Sequence, residues 1–232
     1  MFAKPKLDDD QFPGVTGDYR DYIANCSRFL EVIPIENKEI VARIHQSYRA
    51  QFLKDVALAR TVPDSTYGTL NSIVLYNNMD IVKYFCQAGP YLEKLFALLH
   101  SKETSEERKK SVVMFLHELC TLAMTLPRVQ QQVFFTALQE FGLLSIFENT
   151  TADPNISTRI AAISMLNCIL EHDSGAIRNA STAQATKGTT PLIECLINRF
   201  FTETEGGLVS QIAELIKLIL DTSSPTAAVL LI

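Results

Sequence analysis

Residues 192–220 read LIECLINRFFTETEGGLVSQIAELIKLIL, and this stretch holds the pattern that decides the fold. A short apolar segment begins at Leu192, a polar stretch follows, and a longer segment then carries apolar residues three and four positions apart. That spacing places apolar side chains along one face of an α-helix. The stretch therefore predicts a short helix followed by a longer amphipathic helix, whose apolar positions are Val209, Ile212, Leu215, Ile216 and Ile219.

The same unit occurs twice more, upstream. Short apolar segments begin near Leu92, Leu143 and Leu192, at separations of 51 and 49 residues. The longer segments align through Val112, Ile160 and Val209, at separations of 48 and 49 residues. A helical unit repeated at such a period is typical of arrays in which each unit buries its apolar face against its neighbours. The sequence therefore predicts an all-α, armadillo/HEAT-like helical repeat solenoid.

Local signals predict where individual helices begin and end. Asn37 is a good N-cap for a helix carrying Ile40, Ile44, Tyr48 and Phe52 on one stripe. A helix then runs from Asp64 or Ser65 to Asn77, and Asn78 caps a separate, shorter one.

An additional helix follows Pro127 and ends at Phe141, with Gly142 as a left-handed C-terminal cap. Thr104 to Glu107 form a capping box. Residues 174–190, rich in Ser, Thr, Ala and Gly, are either a weak helix or a mobile loop.

Composition shifts divide the chain into three parts. Residues 1–18 are polar, with acidic Asp8 to Asp10, and predict a flexible N-terminal arm. Residues 19–222 are predicted to form the helical repeat domain. Residues 223–232 end in the apolar run Ala227 to Ile232, which predicts either a tail or a truncated next helix, because a terminal repeat should present a polar outer face.

Composition also limits the classes of partner. The 232 residues carry a formal net charge of −5 without a strongly basic patch, so no direct nucleic-acid partner is expected. No apolar run approaches the roughly 20 residues that span a bilayer, so no membrane partner is expected either. The five cysteines are widely spaced and form no CxxC pair, which indicates reduced thiols in a reducing compartment.

Motifs of catalysis are missing from the sequence. His117-Glu118 begins like the zinc motif HExxH, but the second histidine is absent. Glu171, His172 and Asp173 are consecutive, and adjacent helical positions point in different directions, so His172 is better explained as a solvated helix-end residue. No glycine-rich phosphate loop or nucleophile elbow occurs. We therefore expect no catalytic, metal-binding or cofactor-binding residues and no enzymatic activity.

The most distinctive polar segment runs from Lys38 to Arg60. Arg43, His45 and Lys54 are candidate partner-binding residues, although a solvated helix face is the simpler explanation. Asp55 falls on the stripe of Ile40, so either the helix bends near Phe52 or Asp55 forms a buried structural ion pair with Arg49 or Arg60. Arg43 and Lys54 are expected to point away from the stripe, so reversing both charges should leave the fold intact.

Several exact blocks of sequence resemble a known family. They are Asp18 to Tyr22, Ser27 to Pro34, Ile44 to Arg49 and Phe52 to Arg60, continued by Leu70 to Ile73 and Asp80 to Val82. Together they resemble the SMEK domain of the protein phosphatase 4 regulatory subunit 3 family, from about residue 5 to about residue 221.

The resemblance carries expectations that the residues alone do not. It implies a non-catalytic regulatory or scaffold segment whose partners are the phosphatase 4 catalytic subunit and a second regulatory subunit. It also implies a role in DNA-damage recovery in nucleus and cytoplasm. An EVH1-like domain precedes the helical region in that family, and none is visible in this chain. The alternative is an unrelated armadillo-like adaptor of transport or cytoskeletal type.

Overall fold

The computed structural model describes residues 31–57 and 63–221, and the regular structure in these ranges is entirely helical. The predicted all-α fold class is confirmed. The chain divides into two compact units between Gln87 and Ala88. Unit 1 contains α1 (Lys38–Phe52), a π-helix (Leu53–Ala57) and α2 (Asp64–Gln87).

Unit 2 contains the remaining described helices, which follow the predicted order of short and long segments. The first repeat is α3 (Gly89–His100), α4 (Glu106–Met124) and α5 (Arg128–Glu140). The second is a 3₁₀ turn (Leu143–Ile146) with α6 (Phe147–Thr151), then α7 (Ile156–His172) and α8 (Ser174–Thr186). The third comprises α9 (Leu192–Thr202) and α10 (Gly206–Leu220).

The long helices of unit 2 form its core. Helix α4 packs against α7, and α7 packs against α10, while each short helix contacts the long helix that follows it. The leucines that defined the repeat are no more than 1% exposed to solvent; they are Leu92, Leu143 and Leu192. The repeat read from the sequence is thus confirmed in the packing of this unit, because each long helix buries its apolar residues against the next.

Helix α7 differs from the amphipathic pattern predicted for it. Ile160 is 44% exposed, whereas Val112, its counterpart one repeat earlier, is fully buried. Ala162, Ile163 and Met165 are fully buried although they point in different directions around the helix. Helix α7 is contacted by α4, α5, α6, α8 and α10, so nearly its whole circumference is core.

Caps explain most helix boundaries. The Asn37 side chain accepts hydrogen bonds from the amides of Glu39 and Ile40, as predicted. Gly142 has φ 88°, the left-handed conformation expected after α5. Asp173 caps α8, which resolves residues 174–186 as helix rather than loop. Ser105, and not Thr104, caps α4, since its hydroxyl accepts from the Arg108 amide.

Helix α2 is one continuous helix of 24 residues, so the predicted break at Asn78 is wrong. Asn78 is 1% exposed, and its side-chain oxygen accepts a hydrogen bond from the Ser47 hydroxyl of α1 at 3.4 Å. A tertiary partner therefore satisfies the side chain that would otherwise have capped a new helix.

The predicted domain boundaries after residues 18 and 222 lie outside the described residues and stay predictions. Within residues 31–57 and 63–221, no helix is long and apolar enough to cross a membrane.

Candidate functional site

The polar segment singled out in the sequence forms one side of an antiparallel helix pair in unit 1. Residues near the start of α1 meet residues near the end of α2, and the end of α1 approaches the start of α2. Arg43 pairs with Asp80 and Lys54 bonds to Asn71, which fixes this direction. The two helices bury Ile40, Val74 and Ile81.

Arg43 is held by the facing helix. Its Nη1 lies 2.9 Å from Asp80 Oδ2 and donates to Asn77 Oδ1 at 3.3 Å. The Asn77 side chain is almost fully buried and donates in turn to Gln46 Oε1 at 3.0 Å. This chain of contacts, with Ser47 bonded to Asn78 beside it, forms a polar network along the α1–α2 interface.

Lys54 is also engaged, in three ways. Its Nζ donates to Asn71 Oδ1 at 3.0 Å, lies 5.3 Å from the centroid of the Tyr67 ring, and pairs with Asp55 Oδ1 at 3.4 Å. Only 16% of the Lys54 side chain is exposed. An ammonium over an aromatic face is attracted to the ring quadrupole, so this lysine helps to join the two helices.

These contacts correct one expectation from the sequence. Arg43 and Lys54 were expected to point away from the stripe and to be dispensable for the fold, but both bridge to α2. Reversing both charges would place a carboxylate against Asp80 and another near Asp55, and it would remove the contact with the Tyr67 ring. The double reversal is therefore expected to destabilise unit 1, mainly through the largely buried Lys54, because the exposed Arg43–Asp80 pair contributes little.

The other residues predicted in this segment were His45, as a partner-binding residue, and Asp55, as a member of an ion pair. Burial, with Arg49 nearby as the second cause, lowers the pKa of His45, which favours the neutral imidazole. Asp55 has a side chain that is 58% exposed and pairs with its neighbour Lys54, and among the described residues it forms no ion pair with Arg49. The other proposed partner, Arg60, lies outside the described residues.

The alternative predicted for Asp55 was a bend of the helix near Phe52, and the structure shows a change of helix type there. Helix α1 passes into a π-helix at Leu53, where hydrogen bonds span five residues instead of four. Asp55, on this segment, is mostly exposed and does not share the burial of Ile40. Val56, on the same segment, is 52% exposed.

A charged cluster in unit 2 was not found from the sequence. Glu203, just after α9, has a fully buried side chain and accepts from Arg159 Nε at 2.8 Å and Nη2 at 3.0 Å. Arg199 Nη2 reaches the same carboxylate at 2.7 Å. We call these three residues the ion triad. It joins the start of α7 to the end of α9, and so joins the second repeat to the third.

The electrostatics of the ion triad follow from its hydrogen bonds. The two hydrogen bonds from Arg159 lower the pKa of Glu203 to about 2, assisted by Arg199 and by the amides of Glu205 and Thr204. The remaining nitrogen of Arg159 donates to the carbonyls of Asp153 and Pro154 at 3.0 Å each. Because these donors are already paired within the chain, the triad is structural rather than an anion-binding site.

The described thiols are unsuited to nucleophilic chemistry. Burial raises the pKa of Cys86, Cys120 and Cys195, and it raises that of Cys168 to about 11. A thiol with a raised pKa stays protonated and unreactive at neutral pH.

No group of three or more His, Cys, Asp or Glu side chains within the described ranges could hold a metal ion. His172 lies in the last turn of α7, as predicted, but it is half-buried and its ring stacks on Phe135 at 5.1 Å, so it is less solvated than expected.

Comparison with known proteins supplies the family. The family model for phosphatase 4 regulatory subunit 3 matches residues 8–229. The chain is 33% identical to Suppressor of Mek1 from Dictyostelium discoideum over 206 residues, covering 89% of this chain and 20% of that protein. It is 28% identical to serine/threonine-protein phosphatase 4 regulatory subunit 3 from Drosophila melanogaster, covering 88% of this chain and 21% of that protein.

The extent of these matches decides between the family resemblance and the alternative of an unrelated adaptor. The chain spans about a fifth of the length of these two relatives. No solved structure is significantly similar. A match over nearly the whole chain removes the alternative of an unrelated armadillo-like adaptor. The chain belongs to the phosphatase 4 regulatory subunit 3 family.

Proposed function

We propose that this chain is a non-catalytic segment of a phosphatase 4 regulatory subunit, which binds other proteins of the complex through its helical surfaces. The observation that carries the proposal is the family match over residues 8–229. The packing supports it, because stacked helices such as those of unit 2 present extended surfaces for protein partners.

The partners in this proposal are the phosphatase 4 catalytic subunit and a second regulatory subunit. Arg43, His45 and Lys54 remain candidates for binding them. Because Arg43 and Lys54 also join α1 to α2, a loss of binding after their substitution is informative only when the variant still folds.

A pull-down tests this proposal directly. The tagged 232-residue chain is mixed with purified catalytic subunit, with purified second regulatory subunit, and with the two together. The proposal predicts capture of at least one of them, and no hydrolysis of para-nitrophenyl phosphate by the chain alone. Failure to capture either subunit, or phosphatase activity that copurifies with the chain through every step, would contradict it.

The place of action belongs to the same proposal. A regulatory subunit of this family is expected in nucleus and cytoplasm, and imaging the tagged full-length protein before and after DNA damage tests this. Exclusion from the nucleus under both conditions would count against a role in DNA-damage recovery.

A further inference from the structure

The outer face of α9 in unit 2 carries two large exposed apolar side chains. Phe201 is 78% exposed and Ile197 is 39% exposed. With Glu194 and Asn198, which are also exposed, they occupy positions i, i+3, i+4 and i+7 of one helix and so form a single stripe. We call these four residues the α9 stripe. The opposite side of the helix buries Leu192 and Leu196.

The equivalent helices of the first two repeats carry no such pair. Counting from Leu92, Leu143 and Leu192, the position of Ile197 corresponds to Ala97 and Glu148. The position of Phe201 corresponds to Ser101 and Ala152. The first two repeats therefore present small or charged groups where the third presents a phenyl ring and a branched aliphatic side chain. A spaced apolar pair also occurs on α5, where Val129 and Val133 are 71% and 57% exposed, but the α9 pair includes a phenyl ring, and aromatic side chains are enriched at protein interfaces.

One carboxylate, Glu194, belongs to the stripe, and another lies on the neighbouring helix α6. Helix α6 packs against α9, and Glu148 of α6 and Glu194 of α9 both act electrostatically on Cys195. Neither carboxylate forms an ion pair with any described residue. The nearby cation Arg199 is already bound to Glu203. The surroundings of the stripe are thus acidic, and a cationic partner would complement them.

We propose that the α9 stripe docks a basic amphipathic helix of a partner protein. Its apolar side chains would cover Phe201 and Ile197, and its Lys or Arg side chains would face Glu148 and Glu194. The proposal does not depend on which complex the chain joins, since it rests on the chemistry of this face alone.

A selection experiment tests the proposal. Random peptides about four helical turns long are displayed on phage and selected on the 232-residue chain, and the enriched peptides are then measured by fluorescence anisotropy. The expected peptides combine Lys or Arg with Leu, Ile or Phe three and four positions apart. Phe201→Ser should weaken their binding about tenfold or more, as for the central residue of an interface.

Matched variants distinguish binding at the α9 stripe from non-specific binding to exposed apolar side chains. Glu148→Gln with Glu194→Gln should weaken binding several-fold at low salt and less at high salt, because solvent-exposed charges are screened. Val133→Ser, which alters an exposed valine of α5, should leave binding unchanged. Thermal melts of Phe201→Ser should match the parent chain, since the ring is largely in solvent.

Several results would overturn the proposal. They are the absence of any enriched peptide, selection of acidic or uncharged peptides, and binding that tolerates Phe201→Ser. Sedimentation that shows the chain dimerising through this face, with a monomer formed by Phe201→Ser, would assign the face to a second copy and overturn it as well.

Discussion

Two arginine–carboxylate pairs in the molecule differ in their surroundings. Arg43 and Asp80 meet at 2.9 Å on the flank of the α1–α2 pair, with 41% and 45% of their side chains exposed. Arg159 and Glu203 meet at 2.8 Å inside unit 2, with 9% and 0% exposed. The distances are nearly equal, so distance alone does not tell which pair matters for stability.

Burial makes the difference between the two pairs. In water the attraction between opposite charges is screened, and exposed pairs contribute little to stability. In a buried site, removing one partner leaves the other charge without water or a counter-ion, which is costly. The comparison therefore predicts that similar substitutions in the two pairs have effects of very different size.

The largest effect is expected for Glu203→Gln. The substitution leaves Arg159 and Arg199 near each other without their shared carboxylate, and we expect a loss of about 3–5 kcal/mol in the free energy of unfolding. Denaturant titration measures this. The control is Glu214→Gln, because the exposed Glu214–Lys217 pair should change stability by less than about 0.5 kcal/mol. Equal effects would refute the role assigned to burial.

The pH dependence gives a second measure of the ion triad. The pKa of Glu203 falls from 4.5 to about 2 on folding, so its stabilisation is fully present above pH 4.5. It is lost as the pH falls from there through about 2, and the loss amounts to about 3 kcal/mol. The difference in stability between the parent chain and Glu203→Gln should narrow over this range. A constant difference would show that Glu203 keeps an ordinary pKa.

A smaller effect is expected in the polar network of unit 1. Asn77 is 3% exposed and connects Arg43 to Gln46. Asn77→Ala leaves the Gln46 carbonyl without this donor, and we expect a loss of about 1–3 kcal/mol. Asn71→Ala, at an exposed position that bonds only Lys54 among the described residues, should cost less. Thermal denaturation compares the two, and the reverse order would contradict the network.

The smallest effect is expected at the exposed pair. A double-mutant cycle of Arg43→Gln and Asp80→Asn should give a coupling energy of about 0.2–1 kcal/mol. The value should decrease as salt is added. A coupling above about 3 kcal/mol would mean that this pair behaves as a buried one.

The repeat could be predicted because it depends on local periodicity. Apolar residues recur at helical spacing, and Leu92, Leu143 and Leu192 mark equivalent positions whatever the tertiary details. Helix caps such as Asn37 and Gly142 were predictable for the same reason, since a cap acts within a few residues of itself. The family resemblance likewise rested on short exact blocks.

The sites could not be predicted in the same way because their partners are distant in sequence. Arg159 and Glu203 are 44 residues apart, and nothing local marks either as buried. Asn78 was expected to begin a helix because asparagine is a common N-cap. Its actual partner, Ser47, lies 31 residues away and could not be identified from the local sequence. The burial expected for Asp55 assumed an unbroken α-helix, and no local signal showed that hydrogen bonding becomes π-helical after Phe52. Its pairing with Arg60 lies outside the described residues and stays a prediction.

A crosslinking map of the assembled phosphatase 4 complex that contains the full-length protein tests whether this segment binds the other subunits. We expect exposed lysines of this segment, such as Lys94, Lys187 and Lys217, to crosslink to the catalytic subunit or to the second regulatory subunit. If all crosslinks to those subunits come from parts of the protein outside these 232 residues, the segment is not their binding surface and the proposed function is wrong.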